Sequence, residues 1–183
     1  HSNHKTIWML SSYGQWSCYK LRTSDKCIKY DIKDNDEPIL QYFLLNIFGK
    51  PKFRPKQFEI IQSALNGKNV IGLLPTGSGK SITFQLSAML QPMVSIVVAP
   101  LVSLMEDQVH DLKMSGITNV ASINSTKTID EKIEFLKKFG NNQIGITYIS
   151  PERLQIRLFR EAIRSLNVGY VVLDEAHCVS QWG

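Results

Sequence analysis

The segment Pro75-Thr76-Gly77-Ser78-Gly79-Lys80-Ser81 follows directly on the apolar run Val70-Ile71-Gly72-Leu73-Leu74. An apolar run of this length, bounded by proline and glycines, predicts a buried parallel strand. Gly77 and Gly79 let the backbone turn tightly, with successive N–H groups aimed inward at phosphate oxygens. From Gly79 onward the pattern predicts a helix over about 80–90, whose N-terminal dipole also favours an anion. A strand, a glycine loop and a helix in that order constrain the chain to an α/β fold carrying a phosphate loop. Thr76, Gly77, Ser78 and Gly79 are the candidate cradle, Lys80 the cation for the β- and γ-phosphates, and Ser81 the Mg²⁺-ligating hydroxyl. The loop departs from the pattern G-x4-G-K-[ST] at its first glycine, where Leu74 stands.

A second motif agrees with the first. Val168-Gly169-Tyr170-Val171-Val172-Leu173 is another short apolar run, and it delivers Asp174 and Glu175 at its carboxyl end. Ligands of open α/β sheets bind outside the carboxyl ends of the strands, so both motifs point at a nucleoside triphosphate. Asp174 suits Mg²⁺, and Glu175 suits the positioning and polarising of an attacking water. Lys80, Asp174 and Glu175 are therefore the candidate catalytic residues, with Ser81 and Asp174 on the metal.

The 183 residues suffice for one domain with a real core and part of another. A net charge of +5 fits a polyanionic partner without requiring one. Cys18, Cys27 and Cys178 form no metal spacing, which suggests free thiols in a reducing compartment. No apolar stretch reaches the roughly 18 residues of a membrane span. The chain begins with His rather than Met, so it is expected to be a piece of a longer protein.

A polar, acidic run from Asp31 to Pro38 marks a predicted boundary. Residues 1–37 read as an N-terminal extension or the tail of an upstream domain, with alternation fit for short strands around Gly14. Residues 38–183 read as α/β. Helices are expected at 38–48, 55–66, 80–90, 102–114, 128–139 and 153–166. Strands are expected at 70–74, 94–99, 119–123, 144–149 and 169–173. Such alternation gives a parallel sheet with helices on both faces.

Five blocks then carry a resemblance. They are Phe48-Gly49 with Phe53-Arg54-Pro55-Lys56-Gln57; Pro75 to Ser81 running on to Phe84-Gln85-Leu86; and Ala99-Pro100-Leu101-Val102-Ser103-Leu104-Met105-Glu106-Asp107-Gln108-Val109. The last two are Ile149-Ser150-Pro151-Glu152-Arg153-Leu154 and Asp174-Glu175-Ala176-His177-Cys178-Val179-Ser180-Gln181-Trp182-Gly183. From about Leu44 onward the chain resembles the first motor domain of RecQ-family DNA helicases. The Ser-Gln-Trp-Gly tail separates that family from other DEAH-type helicases.

The resemblance implies a truncated RecA-like P-loop fold. It also implies ATP and Mg²⁺ as cofactors and 3′ to 5′ unwinding of DNA, both single strands and duplex junctions being bound. A second motor domain is expected in the parent chain. The location would be intracellular: cytoplasm or nucleoid in a bacterium, nucleus in a eukaryote. Other superfamily 2 motors, an RNA helicase or a DNA translocase, remain the alternative, as does a nucleotide-gated DNA-binding module without hydrolysis.

Each block also has its own chemistry. The Gln57 amide offers a donor and an acceptor to an adenine edge, and the Arg54 guanidinium can stack on the base. Family members often carry an aromatic residue where Lys50 stands, and Lys50, Lys52, Arg54 and Lys56 alternatively form a solvated basic rim. Pro100 and Ser103, Ser150 and Arg153, and Asn124 in Asn124-Ser125-Thr126 lie where strands give way to helices. There they bind a DNA phosphate or simply cap the helix. By resemblance, His177 couples the γ-phosphate site to DNA, and Gln181 and Trp182 open a loop that senses single strands. Trp182 stacks on a base or packs in a core.

Overall fold

The computed structural model describes residues 6–10, 16–20 and 29–181, apart from Thr76, Pro92, Asn142 and Ser165. The chain divides into two compact units, residues 27–91 and residues 1–26 with 92–183.

The first unit is helical. It contains α1 (Glu37–Phe48), α2 (Gln57–Leu65) and α3 (Lys80–Leu90). Pro38 stands in the first turn of α1, where its missing N–H leaves no intrahelical bond unmade, and Gly49 ends the helix in the left-handed region at φ 63°. Leu40, Phe58, Ile61, Leu65 and Leu86 form the core, with Tyr30, Ile32 and Phe53 packed around it. Asn66 clamps the preceding chain: its side chain accepts from the Ile32 N–H at 2.7 Å and donates to the Ile32 carbonyl at 2.9 Å.

The second unit is built on a parallel sheet of β3 (Val94–Val98), β4 (Val120–Ile123), β5 (Ile146–Ile149) and β6 (Val168–Leu173). Its order is β4-β5-β3-β6. The helices are α4 (Val102–Met114), α5 (Ile129–Gly140) and α6 (Arg157–Arg164). Alternate residues of β3 (Val94, Ile96 and Val98) pack with Phe135 and Phe139 of α5 and Phe159 of α6. The three rings stack, with centroids 5.2 and 6.1 Å apart for Phe135–Phe139 and Phe139–Phe159. Such aromatic pairs add about 1 kcal/mol each beyond the area they bury. α4 runs against β4 and β5, burying Met105, Val109 and Leu112. A parallel sheet flanked by helices is the expected α/β, RecA-like architecture. A separate antiparallel hairpin pairs β1 (Thr6–Leu10) with β2 (Trp16–Lys20).

Three expected elements differ. Residues 70–74 form no strand, and Ile71 and Leu73 are 91% and 89% exposed. A parallel strand exists only through a neighbour's ladder, and among the described residues no strand pairs with this run. α2 starts at Gln57 rather than residue 55, because Lys56 sits in the left-handed region at φ 70°. The helix expected over 153–166 is split. Pro151–Gln155 is a 3₁₀ turn, and Ile156 is extended (ψ 120°), so no α-ladder runs through it and α6 begins at Arg157.

The start of α5 is a capping box. The Thr128 hydroxyl accepts from the Glu131 N–H at 3.3 Å, and the Glu131 carboxylate accepts from the Thr128 N–H at 2.7 Å. Thr128→Ala is expected to cost about 1 kcal/mol, read as a lower denaturation midpoint at constant slope.

Candidate nucleotide and nucleic-acid site

In the helical unit the phosphate loop takes the shape that its glycines allow. Gly77 and Gly79 lie at φ 75° and 80°, a conformation costly for any residue with a Cβ. The Ser78 N–H donates to the Pro75 carbonyl at 3.1 Å, closing the turn, and Lys80 opens α3 with Ser81 beside it. The Ser78 hydroxyl is buried without a hydrogen-bond partner. Left-handed glycines, an unsatisfied hydroxyl and a helix N-terminus fit a bound phosphate chain. Thr76 lies outside the described residues.

Gln57 and Arg54 hold this loop from below. Gln57 is 3% exposed. Its amide nitrogen donates to the carbonyls of Ser78 and Gly79, both at 3.0 Å, while its oxygen accepts from the Arg54 N–H at 2.8 Å. The Arg54 guanidinium donates to the Gly77 carbonyl. A Cβ on Gly79 would stand 2.7 Å from the Gln57 amide nitrogen, so the fit is close. Anchoring of the loop backbone is a role that sequence reasoning missed. The spacing of Gln57 before the loop signals proximity but not which groups the amide meets.

In the sheet unit, Asp174 and Glu175 leave β6 at its carboxyl end. The Asp174 N–H donates to the Val98 carbonyl at 2.9 Å, extending the ladder to β3, and the residue is 6% exposed. Its carboxylate accepts from the Glu175 N–H at 3.0 Å. Glu175 lies at φ 50°, uncommon for a residue with a side chain, and its carboxylate stands 3.3 Å from the His177 Nδ1. Buried and preorganised, the Asp174 carboxyl group has the oxygen-donor chemistry that Mg²⁺ takes. Among the described residues there is no group of three or more acidic, histidine or cysteine ligands.

An open cleft of 630 Å³ lies at the carboxyl ends of β3, β5 and β6. Pro100, Leu101, Pro151, Glu152, Glu175 and His177 line it, so the structure gathers three of the sequence blocks on one edge. Ser103 is exposed on the first turn of α4. Asn124 and Ser150 are buried, with side chains engaged by protein. The Ser150 hydroxyl donates to Glu152 at 2.5 Å, and Arg153 is half-buried with an unpartnered Nε. Gln181 closes the 3₁₀ turn Ala176–Gln181. Its side chain and Trp182 lie outside the described residues.

Asn124 belongs to a network that the motifs did not reveal. One oxygen of Glu106 accepts from Ser122 at 2.8 Å, Asn124 at 2.7 Å and Lys127 at 3.0 Å. Burial pushes the Glu106 carboxyl up, but hydrogen bonds from Ser122, Lys127 and Asn124 and the Lys127 charge outweigh it and hold it below its ordinary value. No spacing rule flags Glu106, since its partners come from a different element.

Among the described residues, no helix is long and apolar enough to cross a membrane. Residues 54–183 match the model of the DEAD/DEAH box helicase family. The chain is 36% identical over 148 residues to the ATP-dependent DNA helicase RecQ of Haemophilus influenzae, covering 81% of this chain and 24% of that protein. It is 40% identical over 144 residues to a probable ATP-dependent DNA helicase RecS of Bacillus subtilis (79% and 29%). It is 42% identical over 144 residues to the RecQ of the same organism (78% and 24%). The chain thus covers 24–29% of these relatives' length. With the matched region running from Arg54 through the acidic pair, the chain belongs to the DEAD/DEAH box helicases and is similar within them to the RecQ proteins.

Proposed function

We propose that the full-length protein is an ATP-dependent DNA helicase of the RecQ kind, unwinding 3′ to 5′. In this reading residues 38–183 are part of its first motor domain and residues 1–37 an extension. A second motor domain would complete the catalytic surroundings. The observation that carries the reading is the end of β6. There a buried Asp174 is fixed to β3, and Glu175 is held in an uncommon backbone conformation with its carboxylate against His177.

The roles follow from the chemistry. The loop N–H groups from Gly77 to Lys80 and the Lys80 ammonium bind and orient the β- and γ-phosphates. The Asp174 carboxylate and the Ser81 hydroxyl are each donors that Mg²⁺ would take, and the ion would neutralise charge developing on the transferred phosphoryl group. Glu175 takes a proton from the attacking water and orients it in line. His177, paired with Glu175, links that carboxylate to the cleft where DNA is read through its backbone. Ser103 and Arg153 are assigned direct phosphate contacts. Asn124 and Ser150 support them, and Pro100 shapes the cleft. Gln181 and Trp182 are assigned to sensing single strands.

The test uses the full-length protein, with ATP turnover measured alone, with single-stranded DNA and with RNA of equal length. Strand displacement is measured on 3′- and 5′-tailed duplexes. Stimulation by DNA well above RNA, with unwinding only from a 3′ tail, is expected. Equal stimulation by RNA would make it another superfamily 2 motor, and ATP binding without hydrolysis a nucleotide-gated module.

A further inference from the structure

We infer that Glu106 is a positioning residue for single-stranded DNA: it locks the turn Asn124-Ser125-Thr126-Lys127 to α4, so that the phosphate contacts of the turn and of the helix act as one rigid grip. The inference rests on the DNA-binding reading above and adds to it roles for Glu106, which lies within the Ala99–Val109 block without a role of its own there, and for Lys127, which lies outside the blocks.

The connection is continuous. Glu106 lies one helical turn beyond Ser103 on α4, so the two share a face. Its single oxygen takes the donors of Ser122, Asn124 and Lys127. Asn124 is wholly buried and passes the constraint on: its own oxygen accepts from the Thr126 N–H at 3.0 Å and the Thr126 hydroxyl at 2.7 Å. Ser125 and Thr126 are exposed at the tip of this turn.

Holding the helix to the sheet does not require this network. α4 already packs against β4 through Met105, Val109 and Leu112, all buried. What the network adds is direction. The Lys127 side chain, next in sequence to the Ser125–Thr126 tip, is only 23% exposed, its ammonium held 3.0 Å from Glu106 with two N–H groups beyond the one given to that carboxylate. A lysine on a free stem loses rotamer entropy when it binds phosphate, and one already pinned loses less. A carboxylate held ionised at that position keeps the lysine fixed without reaching the tip itself. The ligand class is the sugar–phosphate backbone of a single strand, contacted by Lys127, the Ser125 hydroxyl and Ser103. Such contacts carry no sequence information, as a translocating motor needs.

The test uses the full-length protein and oligo-dT. We expect Lys127→Ala to raise the DNA concentration for half-maximal ATPase stimulation about tenfold, the weight of one charge-assisted hydrogen bond. It should also lower the slope of log affinity against log salt by about one. Glu106→Ala should raise half-saturating DNA by a similar factor, while the rate at saturating DNA stays within about twofold because the catalytic groups are untouched. Glu106→Gln retains an acceptor oxygen for Asn124 but not the charge that holds Lys127, and should recover part of the affinity. An unchanged half-saturating concentration and salt slope in Lys127→Ala and Glu106→Ala would overturn the assignment. So would a Glu106→Ala protein whose melting temperature and rates fall together with no recovery in Glu106→Gln. A wild-type protein that binds ATP but ignores DNA would instead refute the DNA reading itself, and this assignment with it.

Discussion

Glu175→Gln in the full-length protein is expected to lower ATP hydrolysis by about 10²–10³-fold, the scale of losing one positioned general base or transition-state contact, while ATP still binds. The substitution keeps the volume and shape of the side chain and removes only the charge and the ability to accept a proton. Glutamine also keeps an oxygen facing the His177 Nδ1, now 3.3 Å from the Glu175 carboxylate, so the local geometry has no reason to collapse. The backbone at φ 50° is equally tolerated by either residue, since the two differ only beyond Cγ. Lys80→Ala should behave differently, because it removes a cation that meets the phosphates before reaction as well as during it. Both affinity and turnover fall. Single-turnover hydrolysis of labelled ATP, with equilibrium binding measured on the same samples, separates the two patterns. Near-normal hydrolysis by either variant removes the catalytic assignment.

Most of the architecture was legible because hydrophobic period and end signals agreed. The helix expected from residue 128 begins at Ile129, and the one expected to end at 66 ends at Leu65. The apolar run at 168–173 marked a strand, and the strand expected at 94–99 forms over 94–98. Boundaries failed where a single backbone conformation overrode propensity. Lys56 in the left-handed region delayed α2, and extended Ile156 broke the helix after Pro151. Residues 70–74 have the composition of a strand, yet composition cannot supply the neighbouring ladder that a parallel strand requires. At the site, residue types pointed to phosphate, Mg²⁺ and nucleic-acid backbone, because those chemistries demand glycines, carboxylates and hydroxyls at strand ends. Which polar side chains face a ligand and which face the protein was not legible. Asn124 and Ser103 look alike in sequence, but one is wholly buried and bonded to Glu106 while the other is exposed. That difference is set by contacts between elements.

Gln57→Ala should weaken ATP and GTP binding alike, by about tenfold or more. The amide's two donors and one lone pair meet the carbonyls of Ser78 and Gly79 and the Arg54 N–H. Removing it leaves two loop carbonyls and one N–H without that partner, at about 1–3 kcal/mol for each group that stays dry. The loop then no longer holds its phosphate-binding shape in advance, and the loss is indifferent to the base. Reading of an adenine edge by Gln57 predicts another pattern, because ATP affinity would fall while GTP affinity held, erasing discrimination between them. Gln57→Glu sharpens the contrast. A carboxylate there would face two carbonyls with no proton to offer, so loop anchoring predicts a loss at least as large as for alanine. Gly79→Ala is the matched control, placing a Cβ 2.7 Å from the same amide nitrogen in a backbone at φ 80° and disturbing the anchor from the other side. Titration of the three variants with both nucleotides decides the matter, since a selective loss of ATP in Gln57→Ala would move Gln57 from the loop to the base.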